Sequence, residues 1–135
     1  MTEYNSFDKE PKINVNPHKP EMPFTLLNNI YYLSSKFKDS VPYGISINKG
    51  YKWNGANIPK FLWRVVGSQY NPEFLPASMV HDWLCENKKF IQKNGVKISS
   101  DIFKDILVLY EVPKVKAWIM ASAVRAYQMT KKDWN

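Results

Sequence analysis

The segment Ala77-Ser78-Met79-Val80-His81-Asp82-Trp83-Leu84-Cys85 places one of only two histidines beside a carboxylate in an otherwise apolar stretch. Burying such a pair is costly unless it is hydrogen-bonded or used. An imidazole next to an aspartate on one helix has three uses: a general base, a pair of metal ligands, or a satisfied hydrogen bond in a core. His81, Leu84 and Cys85 share a helical face by spacing, and Asp82 lies about 100° around. His81 and Cys85, as i and i+4 neighbours, are in reach of each other. Cys85 is nevertheless read as a small core residue, because a cysteine nucleophile and its base normally come from separate elements.

Two further stretches belong with this one. Trp53-Asn54-Gly55-Ala56-Asn57-Ile58-Pro59 holds a glycine for close backbone approach, an N-capping Asn57 and a proline suited to a helix start. Asp101 follows Ser99-Ser100, read as a cap that places its carboxylate in a first helical turn. A histidine that activates water needs an acceptor on its far nitrogen and a cation near the reacting carbonyl. Asp101 is the candidate orienter of His81. Asp82, with Asn54 and Gly55 of the loop, is the candidate oxygen set for a hard cation such as calcium. Trp53 and Asn57 complete the loop. His18 stands in the polar N-terminal stretch, so a multi-histidine zinc site is not expected, and no nucleophile elbow, phosphate loop or dinucleotide fingerprint is present. No organic cofactor is expected.

The elements that must position these residues are legible in outline. Residues 1–23 carry Pro11, Pro17, Pro20 and Pro23 among polar residues and read as an extended arm that could bind a neighbouring subunit. From Phe24 to Trp53, short β-branched and aromatic runs separated by Asn28-Asn29, residues 39–42 and Asn48-Lys49-Gly50 predict a small antiparallel sheet. The last of these turns is expected to fold Tyr43–Ile47 onto Tyr51–Trp53 as a hairpin. Four helices are expected after it: Lys60–Val66, about Pro72–Asn87, Asp101–Glu111 and Lys114 to about Met129. Lys88–Ile98 reads as a polar loop. In the last helix, Val115, Trp118, Ile119, Ser122, Ala123 and Ala126 are expected to face inward. The expected class is α+β, with an arm (1–23), a single domain (24–130) and a short tail (131–135).

The whole chain has 135 residues, 44% hydrophobic and 15% aromatic, which suits one globular core. Nineteen Lys and Arg against twelve Asp and Glu give a formal charge of +7, which favours anionic partners such as lipid headgroups or cell-envelope polymers. The lysines are scattered and no nucleic-acid-binding pattern accompanies them, so nucleic acid is not an expected partner. One cysteine excludes an intrachain disulfide. The longest uncharged helical run, Ala117–Val124, falls far short of the roughly 20 residues of a membrane span, and no secretory signal pattern follows Met1.

The order of Trp53-Asn54-Gly55-Ala56-Asn57-Ile58-Pro59, His81-Asp82-Trp83-Leu84-Cys85 and Ser100-Asp101-Ile102-Phe103 resembles domain of unknown function 1353, a family of bacteriophages and prophages. The resemblance covers roughly residues 24–130. It implies a phage protein made in the host cytoplasm and, on one reading, incorporated into the virion. Asn54, Asn57 and Cys85 stand where that family usually has Asp, Ser and Tyr, and an amide at Asn54 would hold a cation less strongly than a carboxylate. The layout is also similar, more loosely, to phospholipases A2. That likeness implies His81 as water-activating base, Asp101 as its orienter, and Asp82 with the Gly55 loop as calcium ligands in a lipid esterase. The alternative is a non-catalytic virion or tail protein in which His81, Asp82 and Asp101 form a structural polar cluster and the arm binds a neighbour.

Overall fold

The structure, a computed structural model, describes residues 4–19, 21–55, 71–91 and 95–130. The chain divides into two compact units, Met1–Asn54 and Gly55–Asn135. The class is α+β: among the described residues, two small three-stranded antiparallel sheets in the first unit, then four helices.

The strands are β1 (Ser6–Phe7), β2 (Ile13–Val15), β3 (Phe24–Leu26), β4 (Ile30–Lys38), β5 (Val41–Ile47) and β6 (Lys52–Trp53). One sheet has the order β1-β4-β5 and the other β2-β3-β6. β4 and β5 form the main hairpin, with Asp39 and Ser40 both at positive φ (52° and 69°), as a two-residue turn matched to strand twist requires. Alternation is clear on both strands: Ile30, Tyr32 and Ser34 of β4 and Tyr43, Ile45 and Ile47 of β5 are buried. Pro42 is tolerated because β5 is an edge strand.

Two sequence expectations are corrected here. The Asn48-Lys49-Gly50 turn does not close a hairpin; it carries the chain to the other sheet, where β6 pairs with β3 (Phe24 opposite Trp53, Thr25 opposite Lys52). Gly50, at φ 97°, donates its N–H to the Leu26 carbonyl at 2.8 Å, and the Tyr51 carbonyl accepts from Leu26 N–H at 2.8 Å, so the chain is bound to β3 from the last residue of the turn onward. The second correction is to the extended arm. β1 pairs with β4 and β2 with β3, Asp8 Oδ1 accepts the Tyr31 N–H at 2.8 Å, and Asn28 Oδ1 accepts the Lys12 N–H at 3.0 Å. Strand addition uses backbone groups, so a polar, proline-dotted segment pairs well with a few anchors such as Phe7, whose ring lies 4.9 Å from that of Tyr32.

In the second unit, a single 3₁₀ turn (Pro72–Phe74) leads into α1 (Leu75–Glu86), followed by α2 (Lys88–Ile91), α3 (Gly95–Leu109) and α4 (Lys114–Met129). Asn71 Oδ1 caps the entry by accepting the Glu73 N–H at 3.1 Å. The expected helix at Lys60–Val66 and the tail 131–135 lie outside the described residues. Within the expected polar loop at Lys88–Ile98, Lys88–Ile91 is instead α2 and Gly95–Ile98 the first turn of α3. Ser99 and Ser100 do not cap α3. They lie inside it, fully or nearly buried, and donate their hydroxyls back to the Val96 and Lys97 carbonyls at 3.1 and 2.9 Å. This intrahelical bond satisfies a serine without ending the helix. α3 ends with Glu111 at φ 67° and with Val112 N–H bonded to Leu107 O at 3.0 Å, a left-handed cap usually given to glycine.

α3 packs against both α1 and α4. Its buried stripe is Ile102, Phe103, Ile106 and Leu107, as the sequence pattern indicates. The inward face of α4 is Ala117, Met120, Ala121, Val124 and Gln128. This reverses the sequence expectation for that helix: Val115 and Trp118 are 72% and 60% exposed, and Ser122 and Ala126 are exposed as well. Burial therefore predicts opposite sensitivities for two residues only two positions apart, on opposite sides of the helix. Met120→Ala is expected to lower unfolding free energy by about 2–5 kcal/mol and Trp118→Ala by less than about 1 kcal/mol. Urea titrations followed by helical circular dichroism check the difference, and equal losses would place Trp118 inside.

Candidate functional site

α1 starts where Pro76 is harmless, in its first turn, and is buried along nearly its whole length from Leu75 to Leu84. His81 and Asp82 are carried into that packing by their neighbours. Their relative exposures are 1% and 7%. Asp82 Oδ2 accepts the backbone N–H of Gly55 at 3.1 Å. Gly55 is itself buried, at φ 68°, a conformation that disfavours a side chain. The loop and the carboxylate named from the sequence are thus brought together, and the group Gly55 offers to Asp82 is its amide.

His81 is differently placed from its expectation. Cys85 Sγ lies 3.7 Å from Nδ1, and the Phe103 ring of α3 meets the imidazole edge-on at 5.4 Å between centroids. Nε2 is buried and has no hydrogen-bond partner among the described residues. Asp101 is bound elsewhere: Lys97 Nζ sits 2.9 Å from its Oδ2, one helical turn earlier, on a partly exposed face. No hydrogen bond joins Asp101 to His81 among the described residues. The reason lies in α3, which starts at Gly95 and so makes Asp101 a mid-helix residue with a basic i−4 neighbour.

Burial without an anionic partner lowers the His81 pKa from its ordinary 6.5 to about 4, because desolvation disfavours the imidazolium. The ring is neutral at pH 7. A neutral imidazole can accept a proton, but Nδ1 already faces the Cys85 sulfur and Nε2 is closed to solvent. Among the described residues, no three His, Cys, Asp or Glu side chains are grouped to hold a metal ion. Trp53 and Asn54 belong to the first unit, where Trp53 is buried on β6 with its ring 5.5 Å from Phe24. Asn57 and the loop from residue 56 lie outside the described residues.

One feature escaped the sequence reading. A cavity of about 410 Å³ is lined by Trp83, Cys85, Lys88, Lys89 and Phe90, among others. The Trp83 and Phe90 rings meet edge-on at 5.3 Å. Its signal, two aromatics seven residues apart, was obscured by the break between α1 and α2 at Asn87. His81, Asp82 and Asp101 are not among its lining residues.

An α+β protein with a buried His-Asp pair on its first described helix is the class defined by fold and site. The match of residues 25–124 to the family described as "Protein of unknown function (DUF1353)" is more particular, and the chain belongs to that family. The Uncharacterized protein y4iH of Sinorhizobium fredii (strain NBRC 101917 / NGR234) is 31% identical over 84 residues, covering 62% of this chain and 34% of its own length. The Uncharacterized protein y4jT of the same strain is 34% identical over 61 residues, covering 44% of this chain and 18% of its own length. The matches thus span about a third or less of these relatives. No solved structure matches the chain.

The depressed pKa has a consequence for stability. The unfolded chain binds a proton at His81 near pH 6.5 and the folded chain only near pH 4. Its contribution is therefore complete above pH 6.5 and is lost as pH falls toward 4, by on the order of 3 kcal/mol. Denaturant unfolding of wild type and His81→Leu at pH 7 and pH 4 should show the smaller acid loss in the variant. Equal losses would assign the acid sensitivity to other groups.

Proposed function

We propose that this chain is a non-catalytic structural or binding protein, in which His81 and Asp82 hold the second unit together and do not turn over a substrate. The observation that carries this reading is the commitment of both side chains: Asp82 accepts the Gly55 N–H and His81 is enclosed at 1% exposure, with Asp101 bound to Lys97. A general base must reach the proton it removes, directly or through one water. A buried, hydrogen-bonded carboxylate is by contrast a common way to fasten a loop to a helix. The phage setting implied by the three motifs suits a virion component. An arm that threads a neighbouring subunit finds no support in β1 and β2, which pair within the chain.

The calcium-assisted esterase is the second reading, and one observation favours it. The buried, unpartnered Nε2 of His81 is the kind of polar atom that a bound water or ligand explains. Under that reading Asp82 would hold the cation with oxygens of the Gly55 loop, and anionic lipid would be the substrate.

One assay separates the two. Hydrolysis of phospholipid and short-chain aryl esters is measured with calcium and with chelator, for wild type and for His81→Ala. The structural reading expects no calcium-dependent turnover above the protein-free rate, while Asp82→Ala lowers stability by about 1–3 kcal/mol through the unpaired Gly55 N–H. Calcium-dependent hydrolysis that disappears in a folded His81→Ala protein would establish the esterase instead.

A further inference from the structure

We infer that the outward face of α4 is a docking surface for an acidic amphipathic helix of another protein. α4 has two faces with apolar character. One, Ala117, Met120, Ala121, Val124 and Gln128, is buried and packs toward α3. The other runs Val115, Trp118, Ser122, Arg125 and Met129, and it faces solvent. Val115, Trp118 and Met129 are 72%, 60% and 66% exposed. Exposed side chains of this size in one line mark interaction surfaces more often than chance, whereas scattered ones need no explanation.

The spacing of the stripe is three, four, three and four residues, the repeat with which one helix meets another lengthwise. Over 16 residues the seam is about 24 Å long. Ser122 and Ala126, one turn apart, are small and exposed between Trp118 and Met129, so a second helix can approach closely there. Side-chain ridges of a second helix pack on such a face at a shallow crossing angle of about 20°.

Charge selects the occupant. α4 carries Lys114, Lys116 and Arg125 and no acidic residue, in a chain of formal charge +7. Lys116 Nζ lies 5.4 Å from the Phe74 ring centroid, on the flank of the seam. The flanking acids in sequence, Glu111 and Asp133, each stand four residues beyond an end of the stripe. The α4 of a second copy would bring further cations and no acidic residue to the seam. A lipid surface is a poorer fit, since interfacial helices keep cations on the face away from the acyl chains, and here Arg125 stands within the stripe. A helix with apolar residues at three-four spacing and Asp or Glu on its flanks satisfies both the seam and its rim. This surface does not involve His81, so it holds under either reading of that site.

The test uses the full chain and a fluorescent synthetic helix of about three heptads, with leucine at the seam positions and glutamate on the flanks. Saturable binding is expected by anisotropy, weakening as salt is raised, with at least about tenfold loss in Trp118→Glu and Val115→Glu. Both substitutions lie on exposed positions, and unchanged circular dichroism verifies that the variants fold. The same peptide with lysine flanks is expected not to bind. Equal binding of the two peptides, or unchanged affinity in Trp118→Glu, would overturn the proposal. So would concentration-dependent self-association in sedimentation, or tighter binding to phosphatidylglycerol vesicles, if either is abolished by Trp118→Glu.

Discussion

Burying a histidine and an aspartate side by side on α1 is the constraint from which the second unit follows. Two adjacent polar residues cannot both be left unsatisfied in a packed interior, and each is resolved in its own way. The imidazole gives up its charge, which desolvation makes the cheaper form, and rests against Cys85 and Phe103. The carboxylate takes a backbone N–H from Gly55, which a positive φ turns toward it. One helix thereby holds the start of the unit through Asp82 and meets α3 through His81.

α3 shows the same economy. It runs through Ser99 and Ser100 because each hydroxyl is satisfied by a carbonyl three residues back, and the small side chains let the helix pack closely. Starting at Gly95 brings Lys97 one turn before Asp101, and the pair forms on the partly exposed side. A helix start four to six residues earlier than the serine pattern suggests is enough to move Asp101 from a candidate catalytic partner of His81 to a surface ion pair.

α4 makes the converse point. Its residues offer two arcs of comparable hydrophobicity, one of small residues with Met120 and Val124, the other with Val115, Trp118 and Met129. Periodicity identifies a helix here but cannot choose between the arcs. Packing on α3 chose the smaller side chains, which allow close approach, and left the larger ones outside on a strip bordered only by cations.

The sequence by itself determined the α+β class, the main strands of the N-terminal half, the helix around His81 and the apolar stripe of α3. These rest on local spacing, capping and turn chemistry, or on motifs whose order survives in one chain. Tertiary structure alone decided that residues of the arm pair as β1 and β2, that β6 joins β3, which face of α4 is inward and that His81 is enclosed. Each of those depends on which surface another element covers, and a one-dimensional pattern of residue types does not carry that information. The His-Asp pair itself could be located from sequence; what each of its two side chains meets could be read only from what surrounds them.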